Sequence, residues 1–251
     1  MRGARRACAL LLIVSAAGAA RAESLVSTLS DDSVEITSNF TGEQIVVFGA
    51  ERNVPQGNPG YEVAVVVQGP PQDIVVREKE RFLGIWMNRS SREFDGVPSY
   101  YVMHLSENFS SALSPADLMQ YRLGVTSLDF MQSAAQDRKT TRFATALIDL
   151  KTRNGLYAER KREVEFLAPD VFRTTFFLPS DIPTGDYRVA VYLFRGEMLL
   201  AGETETLTIV KGGFSERIAR AALDFPLSYG LVCVILAVFT GWLAGVVFRR
   251  P

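Results

Sequence analysis

The residues that could take part in catalysis are few. His104 is the only histidine among 251 residues, so any charge-relay triad would have to use it. No Gly-x-Ser-x-Gly elbow accompanies it, and a lone histidine in an alternating segment is typical of a hydrogen-bonded structural residue. Among the acidic pairs, Asp31 and Asp32 would point to opposite faces of a strand, whereas Glu163 and Glu165 could share one. We therefore expect no enzyme, and keep a carboxylate-based envelope hydrolase as a third alternative.

Metal and cofactor sites are not predicted either. The two cysteines, Cys8 and Cys233, and one histidine cannot supply the ligands of a zinc, haem or iron–sulfur centre. The sequence has no calcium-loop, Walker or dinucleotide-binding motif. We expect no catalytic residues, no metal ligands and no bound cofactor.

Aromatic residues near the histidine suggest a binding surface. Trp86, Tyr100, Tyr101 and His104 could line a groove for a small ligand or an envelope peptide, because Trp and Tyr are favoured at interfaces. Alternation places Tyr100 and His104 on one face of their segment and Tyr101 on the other. Packing of these aromatic rings in a β-sandwich core is the alternative interpretation.

A long apolar segment near the C-terminus carries a strip of small residues. Leu227 to Phe248 is a run of 22 residues without charge, and at about 1.5 Å per residue it is long enough to cross the hydrocarbon core of a bilayer. Within it, Ala237, Gly241 and Gly245 follow one another at a spacing of four, which lets another helix approach closely. We expect this face to self-associate or to pack against an integral membrane protein.

The two ends of the chain predict its location. Residues 1–22 contain the basic, apolar and small-residue regions of a secretory signal peptide, with cleavage expected before Glu23. Arg249 and Arg250 follow the apolar segment, so the positive-inside rule predicts a cytoplasmic C-terminus. We expect a single-pass protein of the bacterial inner membrane with a periplasmic N-terminal domain.

The charge balance excludes nucleic acid as a partner. The chain has 27 Lys and Arg against 28 Asp and Glu, but four arginines belong to the signal peptide and two to the tail. The remaining 21 basic residues give residues 23–224 a net charge of −7, which repels nucleic acid and an anionic membrane leaflet. This part also lacks cysteine, so no internal disulfide can support its fold.

Short apolar runs separated by Gly- and Pro-containing turns predict a mainly β fold, with immunoglobulin-like antiparallel sandwich units. A helix is expected to begin at Ser114 and a second to run from Thr140 or Thr141 to Arg153. The strands that return after Tyr157 either form a second unit or share a sheet with the first. The predicted strands cover 34–37, 44–48, 62–68, 73–80, 82–87, 100–106, 163–167, 172–178, 186–194, 198–200 and 204–210.

These patterns divide the chain into seven segments. They are a signal peptide (1–22), an N-terminal β-sandwich (23–110), a helical connector (111–155), a second β unit (156–211), an amphipathic juxtamembrane helix (212–225), a transmembrane helix (226–248) and a cytoplasmic tail (249–251). The juxtamembrane helix is expected to lie on the membrane, to dock on a partner, or to extend the transmembrane helix.

Several short motifs carry a resemblance to a known family. They are Ser111-Ala-Leu-Ser-Pro115, Gly155-Leu-Tyr157, Val171-Phe-Arg173, Leu178-Pro179, Pro183-Thr-Gly-Asp-Tyr187, Val191-Tyr-Leu-Phe194, Tyr229-Gly230 and Gly241-Trp242. With them, nearly the whole mature chain resembles the Alph_Pro_TM family of alphaproteobacterial single-pass transmembrane proteins. The resemblance implies an exported β-rich domain tethered to the inner membrane. It carries no active site, and it implies TauE/SafE-like exporters of sulfite or sulfonates as a partner class.

The sequence therefore favours one function over two others. The first is a non-enzymatic periplasmic domain, anchored in the inner membrane, that acts as an accessory or interaction subunit of a membrane complex such as a TauE/SafE-like transporter. The second is a periplasmic ligand- or peptide-binding module that uses the aromatic groove. The third is the hydrolase named above.

Overall fold

The computed structural model describes residues 24–52, 60–107, 109, 113–212, 218 and 222–247. The predicted signal peptide and the predicted cytoplasmic tail lie outside these residues. So do 213–217 and 219–221 of the predicted juxtamembrane helix.

The described chain is mainly β, as the sequence predicted. Nine strands form one sheet in the order β1-β3-β9-β8-β7-β4-β10-β11-β2, and β5 and β6 form a separate ribbon. The strands are β1 (Ser24–Leu29), β2 (Ser33–Ile36), β3 (Glu43–Arg52), β4 (Glu62–Gln68), β5 (Pro71–Phe82), β6 (Ile85–Pro98), β7 (Tyr101–Ser106), β8 (Tyr157–Ala168), β9 (Val171–Leu178), β10 (Gly185–Arg195) and β11 (Met198–Lys211). Strands from before and after the helical connector alternate in the sheet, so both stretches contribute to one β unit.

The sheet curls because β8 changes partner along its length. Residues 157–161 and Val164 pair in parallel with β7, whereas residues 165–168 pair antiparallel with β9. At the register shift before Val164, Arg162 has a φ of 67°, which interrupts the pleat and bends the strand. The curl brings β1 against β11, so the apolar core lies between the two halves of the sheet.

Two strand pairings depart from the antiparallel expectation. β7 pairs in parallel with β8, and β2 in parallel with β11. A parallel pair needs a long crossover connection, and the helical segment between β7 and β8 supplies it. The helical insertion is therefore what permits these two strands to be neighbours.

The main α-helices are α1 (Pro115–Gln120), α2 (Asp129–Ala134), α3 (Arg138–Arg153) and α4 (Pro226–Val247), and a short 3-10 helix covers Val125–Ser127. As predicted, Ser114 caps α1, its Oγ accepting a hydrogen bond from the Asp117 N–H at 3.2 Å. α3 begins earlier than expected because Asp137 accepts hydrogen bonds from the backbone N–H groups of the first turn. α2, which has six residues, was not predicted because it is too short to show a helical period.

The prediction of a single strand over residues 82–87 is wrong. β5 ends at Phe82, β6 begins at Ile85, and the two-residue turn between them consists of Leu83 and Gly84. Both turn residues have positive φ, 49° and 87°, as a type I′ hairpin turn requires. The apolar residues on both sides of the turn resembled the interior of a single strand.

Candidate functional site

Of the four residues predicted to line a binding groove, Trp86 alone is exposed. It lies in β6 beside the turn of the ribbon and is 66% exposed. Its apolar neighbours there are also exposed, and we call the five residues Phe82, Leu83, Ile85, Trp86 and Met87 the hairpin tip.

The base of the ribbon is fixed by the helices. The ring of Phe94 packs edge-on against that of Phe130 in α2, with 6.0 Å between the centroids. Nε of Arg92 donates a hydrogen bond to Oγ1 of Thr140 in α3 at 3.2 Å. These contacts hold the ribbon in place and leave the hairpin tip exposed.

Tyr100 and Tyr101 are fully buried, on opposite faces of the sheet. The Tyr100 hydroxyl donates to the carbonyl oxygen of Phe177 at 2.7 Å. The Tyr101 hydroxyl donates to the carbonyl oxygen of Arg122 and accepts from the Gly124 N–H, both at 2.8 Å. Burial raises the pKa of both phenols, so both remain protonated donors at neutral pH. Tyr100, which directly precedes β7, thus links the start of that strand to β9, and Tyr101 links β7 to the helical insertion.

His104 is buried in the same strand. Its Nδ1 lies 2.7 Å from Oγ1 of Thr174 in β9, and only 4% of the residue is exposed. Burial lowers the pKa of the imidazole to about 4, against the opposing effect of Glu163 and with a smaller contribution from Arg160. The ring is therefore neutral at physiological pH and connects the two halves of the curled sheet.

Tyr100 and His104 border a cleft between β7, β8 and β9. Its volume is about 470 Å³, and Gln44, Arg160 and Phe177 also line it. Neither Trp86 nor Tyr101 reaches this cleft. The structure therefore brings together two of the four predicted groove residues and places Trp86 and Tyr101 elsewhere.

The acidic pair Glu163 and Glu165 forms surface ion pairs. Glu163 lies 3.5 Å from Arg160, and Glu165 lies 3.0 Å from Arg173. Within the part of the chain that the structure describes, no three His, Cys, Asp or Glu side chains are grouped as metal ligands. These carboxylates neutralise neighbouring arginines.

The small-residue strip lies on α4. The segment Pro226–Gly245 has a mean hydropathy of 2.0, long and apolar enough to span a membrane, and it is not buried against the β domain. A methyl group added to Gly241 or Gly245 would meet no atom within 4 Å, so no described part of the chain covers this side of the helix. Together with Ala237, these glycines form an open strip.

One residue of this face was missed in the sequence. Cys233 is exposed and precedes Ala237 by one step of the same spacing, so it continues the strip toward the N-terminal end of α4. Small side chains at intervals of four were the available signal, and cysteine is less typical of such strips than glycine or alanine.

The comparisons with known proteins identify the family. Residues 24–250 match the family described as "Putative transmembrane protein (Alph_Pro_TM)". The chain belongs to this family. The family description agrees with the apolar α4, so this Alph_Pro_TM protein is a membrane protein with a β-rich domain and one candidate C-terminal span.

Comparisons with curated proteins and with solved structures give no further information about the function. No curated protein matches this Alph_Pro_TM chain. Among solved structures, it is similar to Spo0M, the sporulation control protein of Bacillus subtilis, at 10% sequence identity and a TM-score of 0.27. The similarity covers 81% of this chain and 55% of Spo0M, and at that TM-score it carries no argument about fold or function.

Proposed function

We propose that this protein is a non-enzymatic accessory subunit of a membrane complex. Its β domain lies in the periplasm, α4 crosses the inner membrane, and the C-terminus is cytoplasmic. The partner is an integral membrane protein or a second copy of the chain, contacted through Ala237, Gly241 and Gly245. The observation that carries the proposal is the open strip on a helix that does not pack against its own domain.

Helix packing in a bilayer supports the choice of this strip. Lipid chains are as apolar as leucine, so helices associate through close backbone approach and van der Waals contact. Gly241 and Gly245 leave room for such an approach, whereas Ile235 and Phe239 are bulky residues outside the strip. A partner helix therefore gains most contact along the small-residue face.

The orientation and the partner class rest on the sequence. The signal-like residues 1–22 support export of the domain, and Arg249 and Arg250 support a cytoplasmic C-terminus. The family resemblance supports a TauE/SafE-like exporter as the partner. The non-enzymatic role is supported by the buried, neutral His104 and by the ion-paired Glu163 and Glu165.

Co-purification of the full-length protein tests this function. The wild-type chain, solubilised from native membranes in mild detergent, is expected to retain an integral membrane partner. The double variant Gly241→Ile and Gly245→Ile is expected to lose it. The variant Ile235→Phe adds volume away from the strip and is the matched control, so it should retain the partner. Retention of the partner by the double variant would contradict the proposal.

Self-association is tested through Cys233, which lies on the strip. If two copies pack along this face, oxidation should produce a disulfide-linked dimer of the wild-type chain. Moving the thiol off the strip, with Cys233→Ser and Ile235→Cys together, should abolish this dimer. Equal cross-linking from both positions would indicate random collision rather than packing.

A binding function remains the second candidate because of the cleft beside His104. Arg160 and Gln44 supply polar groups and Phe177 an apolar wall, which suits a small anionic ligand or a peptide carboxylate. A ligand that binds there should raise the unfolding temperature of the wild-type protein but not of Arg160→Gln. Equal stabilisation of both proteins would exclude the cleft as its site.

A further inference from the structure

The ribbon formed by β5 and β6 ends in a concentration of exposed apolar side chains. Leu83 is 87% exposed, Ile85 70% and Trp86 66%, with Phe82 and Met87 beside them. Exposed apolar residues are common singly, but a contiguous group at the end of a projecting element marks a contact surface.

The turn itself favours a contact role over a purely structural one. Leu83 occupies the first central position of the type I′ turn with a φ of 49°, where asparagine, aspartate or glycine is preferred. A leucine there is disfavoured by steric contact of its Cβ with the backbone. Leu83 therefore lowers the stability of the turn, but it places a large apolar side chain at the extreme end of the ribbon.

Behind the hairpin tip, the acidic and the basic side chains of β5 lie on opposite faces of the ribbon. Glu78 forms an ion pair with Arg142 of α3, and Glu80 lies 3.5 Å from Arg89, so both carboxylates of this segment are paired. Three exposed cations, Arg77, Lys79 and Arg81, lie on the opposite face, and the structure records no ion pair between them and the other described residues.

The other carboxylates of the ribbon, those of Asp73, Glu93 and Asp95, lie farther from the turn. Asp73 accepts a hydrogen bond from the Gly96 N–H at 3.1 Å, and Glu93 lies opposite Val75. The hairpin tip is therefore followed first by a cationic face and only then by acidic residues. The domain as a whole is acidic, but this apolar end backed by Lys and Arg is locally complementary to a bilayer that contains anionic phospholipid.

The ribbon and α4 leave the domain from the same end. β4 and β11 run in the same direction, because each is antiparallel to β10. β4 ends at Gln68 and leads into the ribbon, while β11 ends at Lys211 and leads toward α4. The ribbon base packs at that end too, since a Cβ on Gly185, which lies opposite Ile209, would come within 2.9 Å of Pro70.

The distances are compatible with a common membrane. At about 3.4 Å per residue, the 12 residues of β5 span about 40 Å. Residues 212–225 can bridge at most about 50 Å between Lys211 and the start of α4. The linker is therefore long enough for α4 to enter the same bilayer surface that the hairpin tip can reach, about 40 Å from the base of the ribbon.

We infer that the hairpin tip inserts into the interface of the bilayer that α4 spans and forms a second membrane attachment. Trp86 lies at the headgroup level, where tryptophan is favoured, and Leu83 and Ile85 reach the acyl chains. Arg77, Lys79 and Arg81 contact the phosphates of anionic phospholipid. The inference rests on α4 spanning a membrane and needs no protein partner.

Fluorescence of the full-length protein in vesicles tests this insertion. The chain has two tryptophans, Trp86 and Trp242, so Trp242→Phe leaves Trp86 as the only reporter. In vesicles of phosphatidylcholine with a quarter of phosphatidylglycerol, lipid brominated near the headgroup should quench more than half of the Trp86 emission.

A reporter at the opposite end of the sheet is the matched control. Met198 begins β11 at that end and is 57% exposed. A chain with Trp86→Phe, Trp242→Phe and Met198→Trp should show little quenching in the same vesicles. Equal quenching of the two reporters would overturn the inference.

Charge removal tests the cationic face. The combined variant Arg77→Gln, Lys79→Gln and Arg81→Gln should reduce quenching of Trp86 at least twofold, as should vesicles of phosphatidylcholine alone. Removing three exposed cations elsewhere, with Arg138→Gln, Arg153→Gln and Lys161→Gln, should leave the quenching unchanged. Unchanged quenching in the ribbon variant, at an unchanged unfolding temperature, would contradict the role of these cations.

If a protein covers the hairpin tip instead of lipid, the fluorescence experiment gives a different result. Trp86 would then remain water-exposed in vesicles of lipid alone and become shielded only in native membranes. That outcome would overturn lipid insertion and would assign the hairpin tip to a protein. Because the vesicles contain no partner protein, this test and the co-purification test can fail independently.

Discussion

The guanidinium of Arg142 in α3 forms an ion pair with Glu78 in β5. This pair joins the helical insertion to the ribbon and removes one of the two carboxylates that would otherwise offset the cations behind the hairpin tip. The partners differ in exposure, with 73% of the Arg142 side chain and 26% of the Glu78 side chain accessible, so the pair lies at the surface.

Removing this pair is expected to loosen the ribbon more than it destabilises the protein. Surface ion pairs contribute about 0.2–1 kcal/mol, so Arg142→Gln should barely change the unfolding temperature. Hydrogen exchange of β5 and β6 should nevertheless become faster. Arg89→Gln breaks the pair with Glu80 inside the ribbon and is the control. Equal acceleration in both variants would show that the contact with α3 is not what holds the ribbon.

His104 predicts a dependence of stability on pH. Its pKa is about 4 in the folded protein and about 6.5 when unfolded, so the unfolded state binds more protons between these values. Stability should therefore fall as the pH is lowered from about 6.5 to about 4, by an amount of up to about 3 kcal/mol.

Thermal unfolding of the full-length protein in detergent at several pH values measures this effect. His104→Gln keeps a hydrogen-bonding group near Thr174 but cannot titrate, so its unfolding temperature should vary less over the same range. An identical pH profile for the variant would contradict the assignment to His104.

The Tyr101 hydroxyl is expected to support the helical insertion. Tyr101→Phe removes a hydrogen bond to the Arg122 carbonyl and leaves the Gly124 N–H without its acceptor, which should lower the free energy of unfolding by about 1–3 kcal/mol. Tyr121→Phe is the control, because the structure records no hydrogen bond from the Tyr121 hydroxyl to another described residue. Denaturant unfolding should separate the two variants. Equal losses would assign the effect to the aromatic rings rather than to the hydroxyl.

Local signals in the sequence predicted part of the fold. The uninterrupted apolar run of β4 reflects its burial on both faces, and the Ser114 cap marks the start of α1. The parallel pairing of β7 with β8 was not predictable, because it depends on the path of the helical insertion. The turn at Leu83 was missed because leucine is not a turn residue.

Only some residues of the candidate site could be predicted from the sequence. The spacing of Gly241 and Gly245 could be read directly, since an isolated helix keeps its own geometry. By contrast, composition did not distinguish Tyr100, which is buried, from Trp86, which is exposed. That distinction depends on which strand joins the curled sheet and which projects from it.

Photo-cross-linking along α4 in native membranes shows directly which face of the helix contacts a partner. A photoreactive side chain at position 233 lies on the small-residue strip, and one at position 235 points away from it. We expect a cross-link to an integral membrane protein, or to a second copy, from position 233 and none from position 235. Cross-links of equal yield from both positions, or from position 235 alone, would contradict this expectation.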